Sequence, residues 1–222
     1  MATRPVFVPD TDPGSPRLVH EQEVDFQWLP GRTAQHKKAN IAKLHAAARH
    51  RSLTPLLHVT SESDDPLGAL VSVVNLAVEV DNSFLVPLEA AFQGSRIFTG
   101  GGPFTDMFRM RLEEIAADPR LTESGKHIGF RFRNLEWGLK SGTMFYDWLV
   151  VNSIHRYPKL RSGIRRFKGF TEVDCRGGGQ AVCHARSCAL YVALTEKKLI
   201  DGVIQDQDLF ITTLIRDSFY QP

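Results

Sequence analysis

The apolar positions change period several times along the chain, and each change predicts an element. Val24, Phe26 and Trp28 alternate with Glu23, Asp25 and Gln27, the period-two pattern of a strand with one buried face. Residues 19–29 are therefore read as a strand stopped by Pro30-Gly31. Ahead of it, Val6-Phe7-Val8 is a short apolar run followed by a Pro- and Asp-rich stretch, so residues 1–18 read as an N-terminal strand and an irregular lead-in. Ile41, Leu44, His45 and Ala48 stand at i, i+3, i+4 and i+7, one face of a helix over 34–50. Apolar runs at 56–59 and 76–80 read as strands, and Pro66 between them suits the first position of a short helix.

Further on, Leu88, Ala91, Phe92 and Ser95 form one helical stripe, with Glu89, Gln93 and Arg96 on the adjoining polar stripe. Gly100-Gly101-Gly102-Pro103 then leads to Phe104-Thr105-Asp106, a capping residue and an acid opening a helix that carries Phe108, Leu112 and Ile115. Residues 127–132 and 135–139 read as a β-hairpin about Arg133-Asn134. Phe145, Trp148, Leu149 and Asn152 mark a helix ending near Tyr157-Pro158. A short strand at 170–173, a flexible loop at 176–179, an apolar helix at 184–198 and a weaker one at 208–218 complete the chain. The whole, residues 1–222, is expected to be one α+β domain, rich in helix with a few short antiparallel strands.

A chain of 222 residues, 42% hydrophobic and 23% charged, has the composition of a globular protein and excludes disorder and collagen. No uncharged apolar run approaches the ~18 residues that cross a bilayer, and the first residues carry prolines and acids instead of a signal core. These features point to the cytoplasm and away from any membrane. Lys and Arg number 27 against 25 Asp and Glu, so a nucleic-acid surface must be local. One such stretch is 156–168, where Arg156, Lys159, Arg161, Arg165, Arg166 and Lys168 fall with no acid among them. Three cysteines make no disulfide framework. Cys175, Cys183, His184 and Cys188 are four soft ligands without a CxxC pair, so buried thiols and no metal are expected.

Known catalytic spacings are missing: GxGxxG after a strand, GxxxxGK[ST], GxSxG and HExxH do not occur. The glycines at 100–102 and the amides near Thr105 suit a phosphate, and equally a plain loop and cap. By pattern alone Glu89 is a solvent-facing carboxylate paired with Arg96.

The run Pro87-Leu88-Glu89-Ala90-Ala91-Phe92-Gln93-Gly94-Ser95-Arg96 resembles the signature helix of the NADAR superfamily, the NAD- and ADP-ribose-associated domains. That signature is a proline, then Glu-x-x-Phe-Gln and a basic residue three positions later. Arg96 stands where lysine is commoner, and Ala91 where other branches often carry an aromatic. Val24-Asp25-Phe26, Asp147-Trp148 and Phe170-Thr171-Glu172 are similar to further family elements. Arg4-Pro5-Val6-Phe7, residues 101–106, Phe145-Tyr146-Asp147-Trp148 and Ala185-Arg186-Ser187-Cys188-Ala189-Leu190 resemble the branch encoded beside DNA-targeting ADP-ribosyltransferase toxins.

This resemblance implies an antitoxin that hydrolyses ADP-ribose from guanine in DNA. Its substrate would be ADP-ribosylated single-stranded DNA, its product ADP-ribose, its partner the cognate toxin, and it would need no cofactor. Glu89 would be the acid or base, and a lysine would attack the anomeric carbon through a Schiff base, since an N-glycoside can open its ribose ring. Lys37 is preferred for that role, with Lys38 beside it. Arg96 and Arg186 would clamp pyrophosphate, and Gly102 and Thr105 would supply backbone and cap contacts. Gln93, Ser95, Asp106 and Ser187 would complete the polar lining, and Asp147 would hold a ribose hydroxyl or orient a base. Phe104, Tyr146 and Trp148 would stack on a base, or else belong to the core. Arg161, Arg165 and Arg166 would meet DNA phosphates, with Tyr157 and Phe167 interleaved. Two other readings stay open: an N-glycosidase acting on a small ribosylamine or ADP-ribose-type metabolite, and an antitoxin that acts by binding its toxin. Ala91 and the basic run favour DNA over the small substrate.

Overall fold

Residues 1–31, 33–80, 84–139, 142–175 and 182–220 are described by a computed structural model. The chain opens with β1 (Ala2–Pro9), β2 (Val19–Phe26), α1 (Ala34–Arg49), β3 (Leu56–His58), α2 (Pro66–Leu70), β4 (Ala77–Glu79) and β5 (Leu85–Pro87). It continues through α3 (Leu88–Gly94), β6 (Arg96–Phe98), a 3₁₀ helix (Thr105–Arg109), α4 (Leu112–Ala116), α5 (Arg120–Glu123), β7 (His127–Phe132) and β8 (Leu135–Gly138). The last part holds α6 (Gly142–Arg156), α7 (Pro158–Ile164), β9 (Gly169–Thr171), α8 (His184–Glu196), α9 (Ile200–Val203), α10 (Gln207–Ile215) and a 3₁₀ turn (Ser218–Tyr220).

Val6 and Phe7 point to opposite faces of one strand, and that alternation sorts the core into two parts. β1 pairs antiparallel with β2 along its length and with β9 on its other edge; β9 runs parallel to β3, giving the order β2-β1-β9-β3. On one face Val6, Val24 and Phe26 meet Ile41, Leu44 and Ala48 of α1. On the other, Phe7 and Phe170 enter the main core with α6 and α8. Every residue of α8 from His184 to Leu194 is buried, the condition of a helix enclosed on all sides. A separate three-stranded sheet, β6-β7-β8, and the β4-β5 pair flank α3.

The architecture is α+β, as the sequence pattern indicates, with local differences that have physical causes. The β3–β9 pair is parallel, because the long connection over 59–168 returns the chain in the same direction. The helix expected from Thr105 breaks at Met110, which is extended, and restarts where Glu114 accepts the Arg111 backbone N–H at 3.0 Å. Pro158 ends α6 and also starts α7, where its missing N–H costs nothing. The loop expected at 176–179 lies outside the described residues. Among those described, no helix is long and apolar enough to cross a membrane.

Buried polar side chains stitch these layers together. Asn40 on α1 accepts from the Leu29 N–H (2.7 Å) and donates to its carbonyl (2.9 Å). His45 of α1 and His58 of β3 both lie 2.9 Å from the Thr171 hydroxyl of β9; that oxygen has one proton, so at least one ring donates to it. His184 donates through Nε2 to the Val71 carbonyl (2.6 Å), which leaves Nδ1 to accept from the Tyr146 hydroxyl (2.9 Å). Burial drives all three imidazoles down: His45 and His184 to about 4, and His58, which also feels His45 and Lys37, to about 3.

These rings stay neutral in the folded chain where the unfolded chain takes up protons below its ordinary value of about 6.5. Their contribution is complete above that pH and drains away as pH falls toward 4. Thermal melts across pH 8 to 4 should show a plateau and then a decline beginning near 6.5. A melting temperature that holds down to pH 4 would remove the neutral assignment.

Candidate active site

Two acidic segments leave the sheet at the C-terminal ends of the parallel pair, with Glu62 beyond β3 and Glu172 and Asp174 beyond β9. Ligands of open sheets with parallel strands bind at such ends. The Glu172 carboxylate accepts the His184 backbone N–H at 3.1 Å and the Cys183 thiol at 3.5 Å, taking the place of a cap that Cys183 does not supply. Burial raises the Glu172 pKa and the Asp174 charge adds to the rise, while the bonds from Cys183, Ala185 and His184 oppose it.

α3 brings the second carboxylate. Gln93 Nε2 donates to Glu89 Oε1 at 2.8 Å, and Arg96 Nη1 donates to Gln93 Oε1 at 3.2 Å. The pairing of Glu89 with Arg96 read from the sequence thus runs through an amide. Phe92 fixes the helix, its ring packed against Phe130, Phe145 and Tyr146 at 5.1, 5.9 and 5.3 Å. The Arg96 guanidinium lies 4.8 Å from the Phe98 ring centre, and burial lowers its pKa. Ser95 turns inward, donating to the Ala91 carbonyl at 2.6 Å. Burial pushes the Tyr146 phenol well up, and the charges of Glu172 and then Glu89 push it further. Both carboxylates therefore bear on one hydroxyl.

Lysine reaches this corner from the first turn of α1. Lys37 Nζ lies 3.3 Å from Asp174 Oδ2, and its charge is also felt at His58 and Glu62. Lys38 Nζ lies 3.2 Å from the well-exposed Asp64. Gly102 has φ +94°, and a Cβ there would sit 2.4 Å from the Arg96 carbonyl oxygen, so the loop closes on Arg96 only with glycine. Phe104 is held between Phe98 (6.1 Å) and the Arg120 guanidinium (4.8 Å), and Asp106 pairs with Arg120 at 2.8 Å, while Thr105 stays exposed.

Six of the anticipated ligand contacts are buried: Ser95 and Tyr146, already described, and Asp147, Trp148, Arg186 and Ser187. Asp147 accepts from Ser187 and from Tyr220, both at 2.6 Å, and Tyr220 in turn accepts from Arg186 at 2.5 Å. The Arg186 guanidinium lies 3.4 Å from the Phe219 ring centre and 3.9 Å from Asp217, whose carboxylate accepts the Leu18 N–H at 2.8 Å. Trp148 packs against Phe132 and Trp137. α6 and α8 are buried almost all round, so a polar residue on them meets protein whichever way it faces. This network ties the C-terminal turn to both helices.

Arg161 and Arg165 line a hollow of about 530 Å³ at the ends of α6, α7 and α8. Arg165 donates to Glu196 at 2.7 Å, whereas Arg166 folds back on the Gly163 carbonyl at 3.2 Å and over Phe167. Among the described residues no group of His, Cys, Asp and Glu is placed to hold a metal ion, and the three cysteines are free. Glu172, Asp174 and Arg120 had no assigned role in the sequence. Glu172 does lie in a segment carrying the family resemblance, but no spacing rule joins it to Glu89.

Asp147→Ala would leave the Arg186 charge buried with its nearest acceptor chain cut, a change that typically costs about 3–5 kcal/mol. Urea unfolding would measure it. A loss under about 1 kcal/mol would show that the network does not carry the C-terminal turn.

Residues 2–222 match the family of DarT1-associated NADAR antitoxins. No curated protein matches the chain. The match runs over nearly the full length and includes the Glu89 helix, the Gly102 loop, Lys37 and both buried helices. The chain belongs to the DarT1-associated NADAR antitoxins.

Proposed function

We propose that this antitoxin is an N-glycosyl hydrolase that removes ADP-ribose from guanine bases in single-stranded DNA, so reversing the lesion made by its toxin. The observation that carries this reading is the Glu89–Gln93–Arg96 chain of hydrogen bonds on the α3 signature, together with Lys37 held on Asp174 at the ends of the parallel strands. An N-glycoside needs a proton for its leaving nitrogen and a nucleophile at its anomeric carbon. Those groups are of the required types.

Lys37, as its neutral amine, attacks the anomeric carbon. The bond from that carbon to the exocyclic guanine nitrogen breaks as Glu89 delivers a proton to the nitrogen, which leaves as unmodified guanine. The lysine-bound ribosylamine opens its ring to a Schiff base, the ring oxygen becoming a hydroxyl. Water then adds to the imine carbon, the amine departs, and ADP-ribose is released with Lys37 restored. Gln93 holds Glu89 from the side and links it to Arg96, whose guanidinium is the candidate for pyrophosphate, with the Gly102–Thr105 backbone next to it. Lys37 is preferred to Lys38 because its partner Asp174 lies two residues from Glu172 and its side chain is the less exposed of the two.

Glu89→Gln should preserve the melting temperature and lower turnover of ADP-ribosylated single-stranded DNA by about two orders of magnitude or more. Near wild-type turnover would remove Glu89 from the chemistry. Borohydride added during turnover should reduce the Schiff base and leave a stable adduct on Lys37, located by mass mapping. An adduct on Lys38 would reassign the nucleophile. Full activity of the Lys37→Ala, Lys38→Ala double variant would reject the lysine route.

A further inference from the structure

Three hollows follow one another across the surface. The first, about 300 Å³, runs from Pro103 and Thr105 past Arg109 and Arg131 to Arg133. Arg133 is also a wall of the second, about 240 Å³, which continues to Arg156 and His155. His155 in turn is a wall of the third, about 530 Å³, which holds Arg161, Arg165 and Lys198. Seven Arg and Lys side chains line the three, against Glu79, Glu196 and Asp201. Such an excess on a chain of net charge +2 is local.

An independent feature of the backbone marks the same path. Among the described residues only Ser52, Arg133 and Lys198 combine a side chain with positive φ, at 59°, 53° and 59°. Two of these three are cations lining the hollows. Arg133 occupies the β7–β8 turn, where Asn or Gly is the easier residue. Lys198 closes α8, its N–H on the Thr195 carbonyl and the Leu199 N–H on the Leu194 carbonyl, in the position that glycine usually takes. A long charged side chain is strained at either place, and strain of this kind concentrates where a side chain serves a ligand.

Glutamates hold three of these cations in register: Glu79 pairs with Arg156, Glu196 with Arg165 and Glu136 with Arg131, and the Glu79 carbonyl accepts from Arg133. Phe84, 38% exposed with the Arg109 guanidinium 4.7 Å from its centre, is an aromatic platform at the first hollow. Cations in a row with an exposed ring are what a single strand needs, phosphates on one side and a stacked base on the other.

We propose that the three hollows form one track for single-stranded DNA, that Arg133 and Lys198 contact its phosphates, and that it leaves the active site in one direction. This rests on the DNA-hydrolase reading above. At its near end the track meets Pro103, next to the Gly102 that lies against Arg96. Arg96 is paired with Phe130, so Arg131 projects from the opposite face of the small sheet, and the strand rounds the Gly102 loop to reach Glu89. Arg161 and Arg165 belong to the far end. Arg166 lines none of the three.

The test uses Arg133→Asn and Lys198→Gly together, each replacement suited to the backbone it inherits. The double variant should melt at or above the wild-type temperature. Its affinity for an unmodified oligonucleotide, read by fluorescence anisotropy, should fall, and the slope of log affinity against log salt should shrink by about 1.4, two contacts at ~0.7 each. With a modified guanine in the strand, wild type should gain affinity from nucleotides added on one side of the lesion only. Unchanged affinity and slope in the double variant would overturn the track, as would equal gains on both sides. So would a variant that keeps the strand but loses association with the toxin, since the hollows would then be a protein-docking face. Wild-type turnover of a modified mononucleotide separates the two levels: turnover with no strand binding rejects the track alone, and no turnover on any modified guanine rejects the hydrolase reading.

Discussion

α8 leaves water at its first residue, and a helix buried from its N-terminus must find partners for the amides of its opening turn. Glu172 supplies one, accepting the His184 N–H from a segment that has just left β9. With the packing of Phe7 and Phe170, this contact joins the sheet to the central helix and fixes a buried carboxylate two residues from Asp174. The positive end of the helix favours the ionised form, while burial and the Asp174 charge disfavour it. The net direction is upward, toward a carboxyl that keeps its proton more readily than one in water. Fold and candidate chemistry thus rest on the same atoms.

That arrangement also explains why neutral histidines surround it. His184 directs its proton to the Val71 carbonyl, His58 and His45 share the Thr171 hydroxyl, and none has a carboxylate as hydrogen-bond partner. The cation of this corner is Lys37, paired with Asp174 at 3.3 Å and partly open to solvent, where the proposed nucleophile can be reached by a substrate.

How much could be read beforehand depended on whether neighbours in space were also neighbours in sequence. Val24, Phe26, Ile41 and Leu44 declared their strand and helix by period, and Pro66 its helix start, because those signals are local. β5 and β6 are three residues each, too short to show a period, and α7 was hidden because Pro158 reads as an ending before it reads as a beginning. Glu89, Gln93 and Arg96 were legible as one polar stripe, and the amide between the two charges was not. Glu172 took its place only through the packing of β9 against α8, where it accepts the His184 N–H. Arg186 and Asp147 show the converse: on helices enclosed all round Asp147 accepts from Ser187 and Tyr220 and Arg186 Nη1 donates to Tyr220, while Arg186 Nη2 is buried with no hydrogen-bond partner, and none of this can be read until the burial is known.

The two charged regions obey different electrostatics, and this sets their division of labour. At the surface hollows the cations are partly exposed, their pairs with Glu79 and Glu196 are screened, and each is worth little to stability. They are free to exchange a carboxylate for a phosphate at small cost, and the exchange weakens steeply as salt rises. Around Glu172 and Tyr146 the groups are removed from water, so salt screens them less and their protonation states follow burial and near neighbours. On the proposed reading, capture of a strand by Arg133, Lys198 and their row weakens with salt more steeply than cleavage, because the groups around Glu172 and Tyr146 are removed from water. The strained backbone at Arg133 and Lys198 gives up stability to place cations along the hollows, whereas at Gly102 the missing side chain lets the loop close on the Arg96 carbonyl.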